Sequence, residues 1–331
     1  MIGRRAFLLA MPASSVSAAA SGFRYAICNE TFEGQSFAEA CRLARSTGYA
    51  GLEIAPATLA ADPVSVTLPA RRQLRRMMDS EGLQYAGLHS LMPANPGLHL
   101  TTPDEAIRAR SWEFFRRLID LSGDLGGGVM ALGSGKQRAA ISGSTPADAR
   151  KRLRDGLAGS AGHARERGVL LLLEPLSPQF TNVVNTLAEA VFLVRDINHP
   201  AVSSMFDTHN TTAETEPHDR LIHRYVREIR HVHVNEMDGR HPGTGSYDFR
   251  RVLRALREAG YGGWVSVEVF QFRPSAEVIA REAMAFLRRM ESEVSTSRLT
   301  APRPRPFSGC IWERRHAGAT RRSRTRQRHR A

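Results

Sequence analysis

The chain has 331 residues, a length for one large domain or two ordinary ones. Hydrophobic residues make up 42% and charged residues 24%, a globular composition that excludes a disordered or fibrous chain. Three cysteines (Cys28, Cys41 and Cys310) exclude a disulfide framework and lack metal-type spacing, and no apolar run reaches the roughly 18 residues of a membrane span. The net charge of +13 suggests a nucleic-acid partner until it is located. Eleven arginines and one acid (Glu313) lie in residues 298–331, so +10 of the charge sits there and the body is nearly neutral. No nucleic-acid partner is therefore expected for the body of the chain.

Residues 1–21 read as a signal segment. Arg4-Arg5-Ala6-Phe7-Leu8 is followed by a short apolar stretch, broken by Pro12, and then by Ser17-Ala18-Ala19-Ala20. Paired arginines before a short apolar core resemble a twin-arginine export signal, which predicts a periplasmic or exported protein, or a cytoplasmic one if the signal does not function. From residue 22 to 292 short apolar runs alternate with helical spacing. The runs predict buried parallel strands at Tyr25–Cys28, Gly51–Ile54, Tyr85–Ser90, Gly128–Leu132, Val169–Glu174, Val202–Asp207, Ile229–Asn235 and Trp264–Phe270. Between them, Phe37, Ala40, Cys41 and Ala44 mark one helix and Phe249, Val252, Leu253 and Leu256 another. Ser36 with Glu39 reads as a capping box, and Gly48, Gly82, Gly168 and Gly260 stand where helices should end. Strand starts recur about every 34 residues, the length of one strand–helix unit. Eight such units predict a single-domain α/β protein, a (β/α)8 TIM barrel. An open doubly wound sheet would need a glycine-rich turn after the first strand, and Cys28-Asn29-Glu30-Thr31 is unlike one. Residues 293–331, rich in Arg, Pro, Ser and Thr, read as a basic disordered tail.

Buried parallel strands should be apolar throughout, yet several here end in polar side chains. Glu53 lies on the second strand and His89 ends the third. Glu174 ends the fifth, Asp207 the sixth, His231 and His233 share one face of the seventh, and Glu268 lies on the eighth. Barrel active sites form at the C-terminal ends of the strands, so these groups are expected to converge there. Buried carboxylates must be paired, protonated or bound to a cation. Three carboxylates and one imidazole suit one divalent metal ion: Mn²⁺, Mg²⁺, Co²⁺ or Zn²⁺. For Glu53 alone a salt bridge is an equal reading. Gly133-Ser134-Gly135-Lys136-Gln137-Arg138 fails as a P-loop, though Lys136 and Arg138 follow the fourth strand and are candidates to hold a substrate anion.

Taken together, Gly48-Tyr49-Ala50-Gly51-Leu52-Glu53-Ile54, Leu173-Glu174-Pro175-Leu176, Phe206-Asp207-Thr208-His209-Asn210, His231-Val232-His233-Val234-Asn235-Glu236, Pro242-Gly243-Thr244-Gly245-Ser246-Tyr247-Asp248-Phe249 and Gly260–Glu268 resemble the sugar isomerase/epimerase superfamily with a xylose isomerase-like barrel. That superfamily includes tagatose- and psicose-type 3-epimerases, hydroxypyruvate isomerases and inosose dehydratases. The resemblance implies metal ligation by Glu174, Asp207, His233 and Glu268, with Glu174 and Glu268 also the proton-transfer pair. It implies substrate contacts from Glu53, His89, His209 and Arg240. Three positions depart from the epimerase pattern. Phe180 stands where a second Glu is usual, Asn210 where a His is usual, and Arg240 lies one residue late.

The expected function is divalent-metal-dependent isomerisation or epimerisation of a sugar or keto-polyol through an enediolate, with a small carbohydrate as the substrate. A metal-dependent dehydratase or lyase acting on an inosose or 3-keto-glycoside starts from the same proton removal. An endonuclease IV-like nuclease and a non-catalytic sugar-binding barrel are the remaining alternatives. The nuclease needs more ligands, and a basic groove that the near-neutral body lacks. Self-association is left open.

Overall fold

The structure is a computed structural model that describes residues 22–92 and 97–296. The expected signal segment lies outside the described residues, as does the expected tail beyond Thr296. Eight strands close into one parallel barrel: β1 (Arg24–Cys28), β2 (Gly51–Ile54), β3 (Gln84–Leu88), β4 (Gly128–Leu132), β5 (Val169–Leu173), β6 (Val202–Asp207), β7 (Ile229–Val234) and β8 (Trp264–Val267). Each pairs with its neighbours in sequence, and β8 returns to β1. Helices α1 (Phe37–Ser46), α2 (Leu68–Ser80), α3 (Glu105–Leu125), α5 (Pro146–Glu166), α6 (Leu187–Ile197), α7 (His218–Tyr225), α8 (Phe249–Glu258) and α9 (Ala276–Thr296) alternate with the strands, and a four-residue turn, α4 (Gly135–Arg138), follows β4. The (β/α)8 architecture expected from the strand spacing is present.

Local signals act as the sequence predicts. Ser36 caps α1 through a capping box with Glu39, and Thr145 with Asp148 and Thr186 with Glu189 do the same for α5 and α6. The four glycines expected to end helices all have positive φ, from +67° to +101°. The observed strands start or stop within three residues of expectation. The largest change is at β8, which leaves the ladder after Val267, so that Glu268–Phe270 belong to the rim.

Alternation along the strands divides the side chains between two environments. Leu171 and Leu173 of β5 join the main core between barrel and helices, whereas Leu172 packs with Val129, Ala131 and Met205 in a separate cluster. Trp264, at the start of β8, packs with Ala26 and Ala86, and Gly51 leaves room for its ring: a Cβ there would lie 2.7 Å from it. Arg24 covers the indole at 3.8 Å. The barrel is thus filled from the N-terminal end by apolar side chains in layers. The same alternation carries the chain from Leu172 to Glu174, from Met205 to Asp207, from His231 to His233 and from Ser266 to Glu268.

Candidate active site

Glu174, Asp207, His233 and Glu268 meet at the C-terminal end of the barrel. Each offers a ligand atom, and the four atoms lie within 4.8 Å of one another. All four residues are buried. His233 Nδ1 and Glu268 Oε2 form an ion pair at 3.0 Å, and neither atom has a further partner among the described residues. Asn210 Nδ2 donates to Asp207 Oδ2 at 2.8 Å and to Glu174 Oε1 at 3.3 Å, joining two of the carboxylates. The His209 backbone N–H donates to Asp207 Oδ1 at 2.7 Å.

The charges fit a cation. Burial, then the carboxylates of Asp207 and Glu268, push the Glu174 carboxyl well above its ordinary range. Burial, then Glu268, push up Asp207. Burial would also raise Glu268, but His233 outweighs it and holds that carboxyl low. Three buried carboxylates with one imidazole form a hard, oxygen-rich donor set, in which Nδ1 and Oε2 have no partner but each other among the described residues. The residues present therefore fit a divalent metal ion.

A polar layer lies beneath the cluster. Glu53 is wholly buried, with its carboxylate 2.9 Å from His231 Nε2 and 3.1 Å from His233 Nε2. Cys28 Sγ donates to it at 3.7 Å. Burial opposes ionisation of Glu53, but His231 and His233 outweigh it and hold the carboxyl well below the usual range. The structure thus pairs Glu53 with histidines, not with an arginine, and does not bring it to the cavity wall. His89 is also buried, its Nε2 3.3 Å from Glu30 Oε1 and its ring edge-on to that of His233.

A cavity of about 460 Å³ opens over the cluster, and Glu174, Glu268, Asn210, Glu30, Phe180 and Phe270 are among its lining residues. Two of its loop residues, Ser90 and Ser134, hold positive φ of +49° and +41° without being glycine. Gly133 allows Glu174 its position, because a Cβ there would lie 2.4 Å from Glu174 Oε2. Lys136 lines the cavity. Arg138 turns inward and is wholly buried, donating to the Leu132 and Val184 carbonyls, and burial pulls its pKa down to about 10. His209 is buried between the rings of Phe180 and Phe270. Arg240 is not brought to the cavity: its side chain is exposed and pairs with Asp238 at 2.8 Å.

Sequence reasoning passed over Glu30, although Cys28 and Glu30 repeat the two-residue step of Ser266 and Glu268. Asn210, noted only as a departure from the family pattern, proves to tie Glu174 to Asp207.

Comparison with known proteins agrees with this fold. The chain is 29% identical over 184 residues to an L-ribulose 3-epimerase of Mesorhizobium japonicum, a match covering 54% of this chain and 59% of that protein. It is 24% identical over 262 residues to a fructoselysine 3-epimerase of Shigella flexneri, covering 77% and 93%. The crystal structure of a D-psicose 3-epimerase in the presence of D-fructose superimposes with a TM-score of 0.72 at 22% identity, covering 81% of this chain and 99% of that one. Residues 41–290 match the model of the xylose isomerase-like TIM barrel family, and the chain belongs to that family.

Proposed function

We propose that the protein is a divalent-metal-dependent sugar epimerase or isomerase that works through an enediolate, with Glu174 and Glu268 as the proton-transfer pair. The observation that carries this reading is the buried meeting of Glu174, Asp207, His233 and Glu268 under an open cavity, with His233 Nδ1 and Glu268 Oε2 paired at 3.0 Å. The names of the relatives, ribulose and fructoselysine 3-epimerases, support the substrate class.

A bound Mn²⁺, Mg²⁺ or Co²⁺ would supply Lewis acidity toward a carbonyl and its neighbouring hydroxyl. The remaining work falls to the chain. Glu174 and Glu268 line the cavity, and each carries a carboxylate oxygen within 4.8 Å of the other's. One takes the proton from the carbon beside the carbonyl, and the electron pair moves onto the carbonyl oxygen. The other carboxyl returns a proton. Return to the opposite face of the same carbon gives the epimer; return to the former carbonyl carbon, with the neighbouring hydroxyl proton passing to the former carbonyl oxygen, gives the isomer. Asn210 restrains both Glu174 and Asp207 and so keeps the Glu174 carboxyl in place. The layer beneath the cluster is wholly buried and keeps bulk water from below.

The test is hydrogen exchange in heavy water with Mn²⁺-loaded protein and a ketohexose, followed by NMR. Glu174→Gln and Glu268→Gln should each slow deuterium entry at the carbon beside the carbonyl by about 10²–10⁴-fold, the usual worth of an acid–base group. Exchange at the wild-type rate in both variants would refute the roles. Loss of water from the substrate would mark a dehydratase instead.

A further inference from the structure

A second cavity, of about 680 Å³, opens at the opposite end of the barrel, among the N-terminal ends of the strands. Val129 and Leu170, which belong to the apolar layer inside the barrel, line it. So do Arg24, Arg227 and Arg230, and no carboxylate does among the described lining residues. The N-terminal face of such a barrel ordinarily serves stability. Three like charges around one opening work against it, by mutual repulsion.

The charges are not neutralised locally. Arg227 and Arg230 make no ion pair and no side-chain hydrogen bond among the described residues. Glu228 stands between them in sequence, but its carboxylate turns to Arg195 at 2.8 Å. Glu258, at the end of α8, goes to His223 at 3.4 Å. The carbonyls at the ends of α7 and α8 are taken too. The Glu228 N–H donates to Tyr225 O, the Gly260 N–H to Arg257 O and the Tyr261 N–H to Leu256 O. Capping of the helix ends therefore does not account for these guanidiniums.

Arg24 is held in place while keeping its charge. Its guanidinium lies 3.8 Å from the Trp264 ring centroid, and Nη2 donates to Gln84 Oε1 at 2.7 Å. An aromatic face and an amide fix a guanidinium but leave its remaining N–H groups for another partner. Tyr261 links Arg24 to Arg230. Its hydroxyl donates to Trp264 O at 2.8 Å. Burial pushes that hydroxyl well above its ordinary pKa, and the charges of Arg230 and Arg24 both act against the rise. The two guanidiniums thus share one neighbour across the opening.

We propose that this N-terminal mouth, ringed by Arg24, Arg227 and Arg230, is a binding site for a small phosphate ester carrying two or more negative charges. Guanidinium forks match phosphate oxygens in pairs, and several of them together suit more than one phosphoryl charge. The concave shape and the volume suit a free small molecule better than a flat membrane surface. Gly128, Gly168, Gly260, Gly262 and Gly263 line the opening and keep it clear of side chains. The length of the barrel separates this site from Glu174, Asp207, His233 and Glu268, so its occupant is not the reacting substrate.

The experiment is titration calorimetry on the full chain loaded with Mn²⁺, with glucose 1,6-bisphosphate as the probe. Its anomeric carbon is locked, so it offers no carbonyl to the other end of the barrel. Salt is kept at about 0.1 M, where screening over about 10 Å leaves isolated surface arginines little hold on an anion. Saturable binding at one site per chain is expected. Arg227→Gln and Arg230→Gln should each raise Kd about tenfold or more, the worth of one charge-assisted hydrogen bond. Arg230→Lys should lose less. Replacing Arg321 and Arg322 together by Gln, in the arginine-rich segment beyond residue 298, should leave Kd unchanged. Thermal unfolding checks that each variant is folded. Absence of saturable binding overturns the proposal. So does binding that survives the R227Q/R230Q double variant, or that falls equally when Arg321 and Arg322 are replaced. Phosphatidylglycerol vesicles form the second arm. Vesicle capture that needs Arg227 and Arg230, without binding of the bisphosphate, would assign the mouth to a lipid headgroup and overturn the free phosphate ester.

Discussion

His233 Nε2 lies 3.1 Å from Glu53 Oε1, and Glu53 is wholly buried. A carboxylate at Nε2 holds a ring proton there, so that with a metal ion bound the Nδ1 lone pair would be the one left for the cluster, the arrangement that carboxylate–histidine–metal triads use. We propose that Glu53 thereby acts through His233, as a positioning residue.

Glu53→Gln keeps the shape but removes the charge, and one amide oxygen cannot serve His231 and His233 as the carboxylate does. Metal affinity, measured by titration calorimetry with Mn²⁺, should fall about 10–100-fold, the usual cost of losing such a partner. Glu53→Asp should restore part of it. Affinity equal to wild type in Glu53→Gln would assign Glu53 a purely structural place.

Gly133 is a test of space. A methyl group there would meet Glu174 Oε2, whose companion oxygen Oε1 accepts from Asn210. Gly133→Ala should therefore displace Glu174 and weaken Mn²⁺ binding, at a stability cost of about 1–3 kcal/mol for overpacking. An unchanged binding isotherm would show that the carboxylate can shift without consequence.

Metal binding should stabilise the fold. A ligand at a hundred times its Kd adds about 2.7 kcal/mol. For a domain of this size that raises Tm by roughly 5–10 °C. The effect relieves repulsion among Glu174, Asp207 and Glu268, so it should disappear on adding EDTA and be weak in Asp207→Asn. A Tm indifferent to Mn²⁺ would argue against a cation at this cluster.

The export reading of residues 1–21 remains a proposal carried by Arg4-Arg5. Replacing both with lysine in a fusion to a periplasmic reporter should block export, and equal export of both fusions would assign those residues no such role.

The strands were legible in the sequence because parallel strands buried on both faces read as apolar runs, and because glycines mark where the helices stop. The cluster was legible because carboxylates at the ends of such runs have few reasons to be there. What the sequence left open was how far each strand is staggered around the barrel, which is set by shear and not by local pattern. Glu53 and Glu268 look alike as strand-end acids, yet one sits beneath His233 and the other lines the cavity. Loop geometry was equally hidden. Gly239, at φ +81°, turns the chain so that Arg240 meets Asp238 and points away from the cavity. Glu30 escaped notice because it is the second residue of the turn after β1, outside the strand pattern.

The most direct measurement is anomalous diffraction at the manganese edge from crystals soaked in Mn²⁺. The account predicts one strong peak bonded to Glu174, Asp207, His233 and Glu268 at about 2.0–2.2 Å. A peak bonded elsewhere, or to only one of the four, would contradict it.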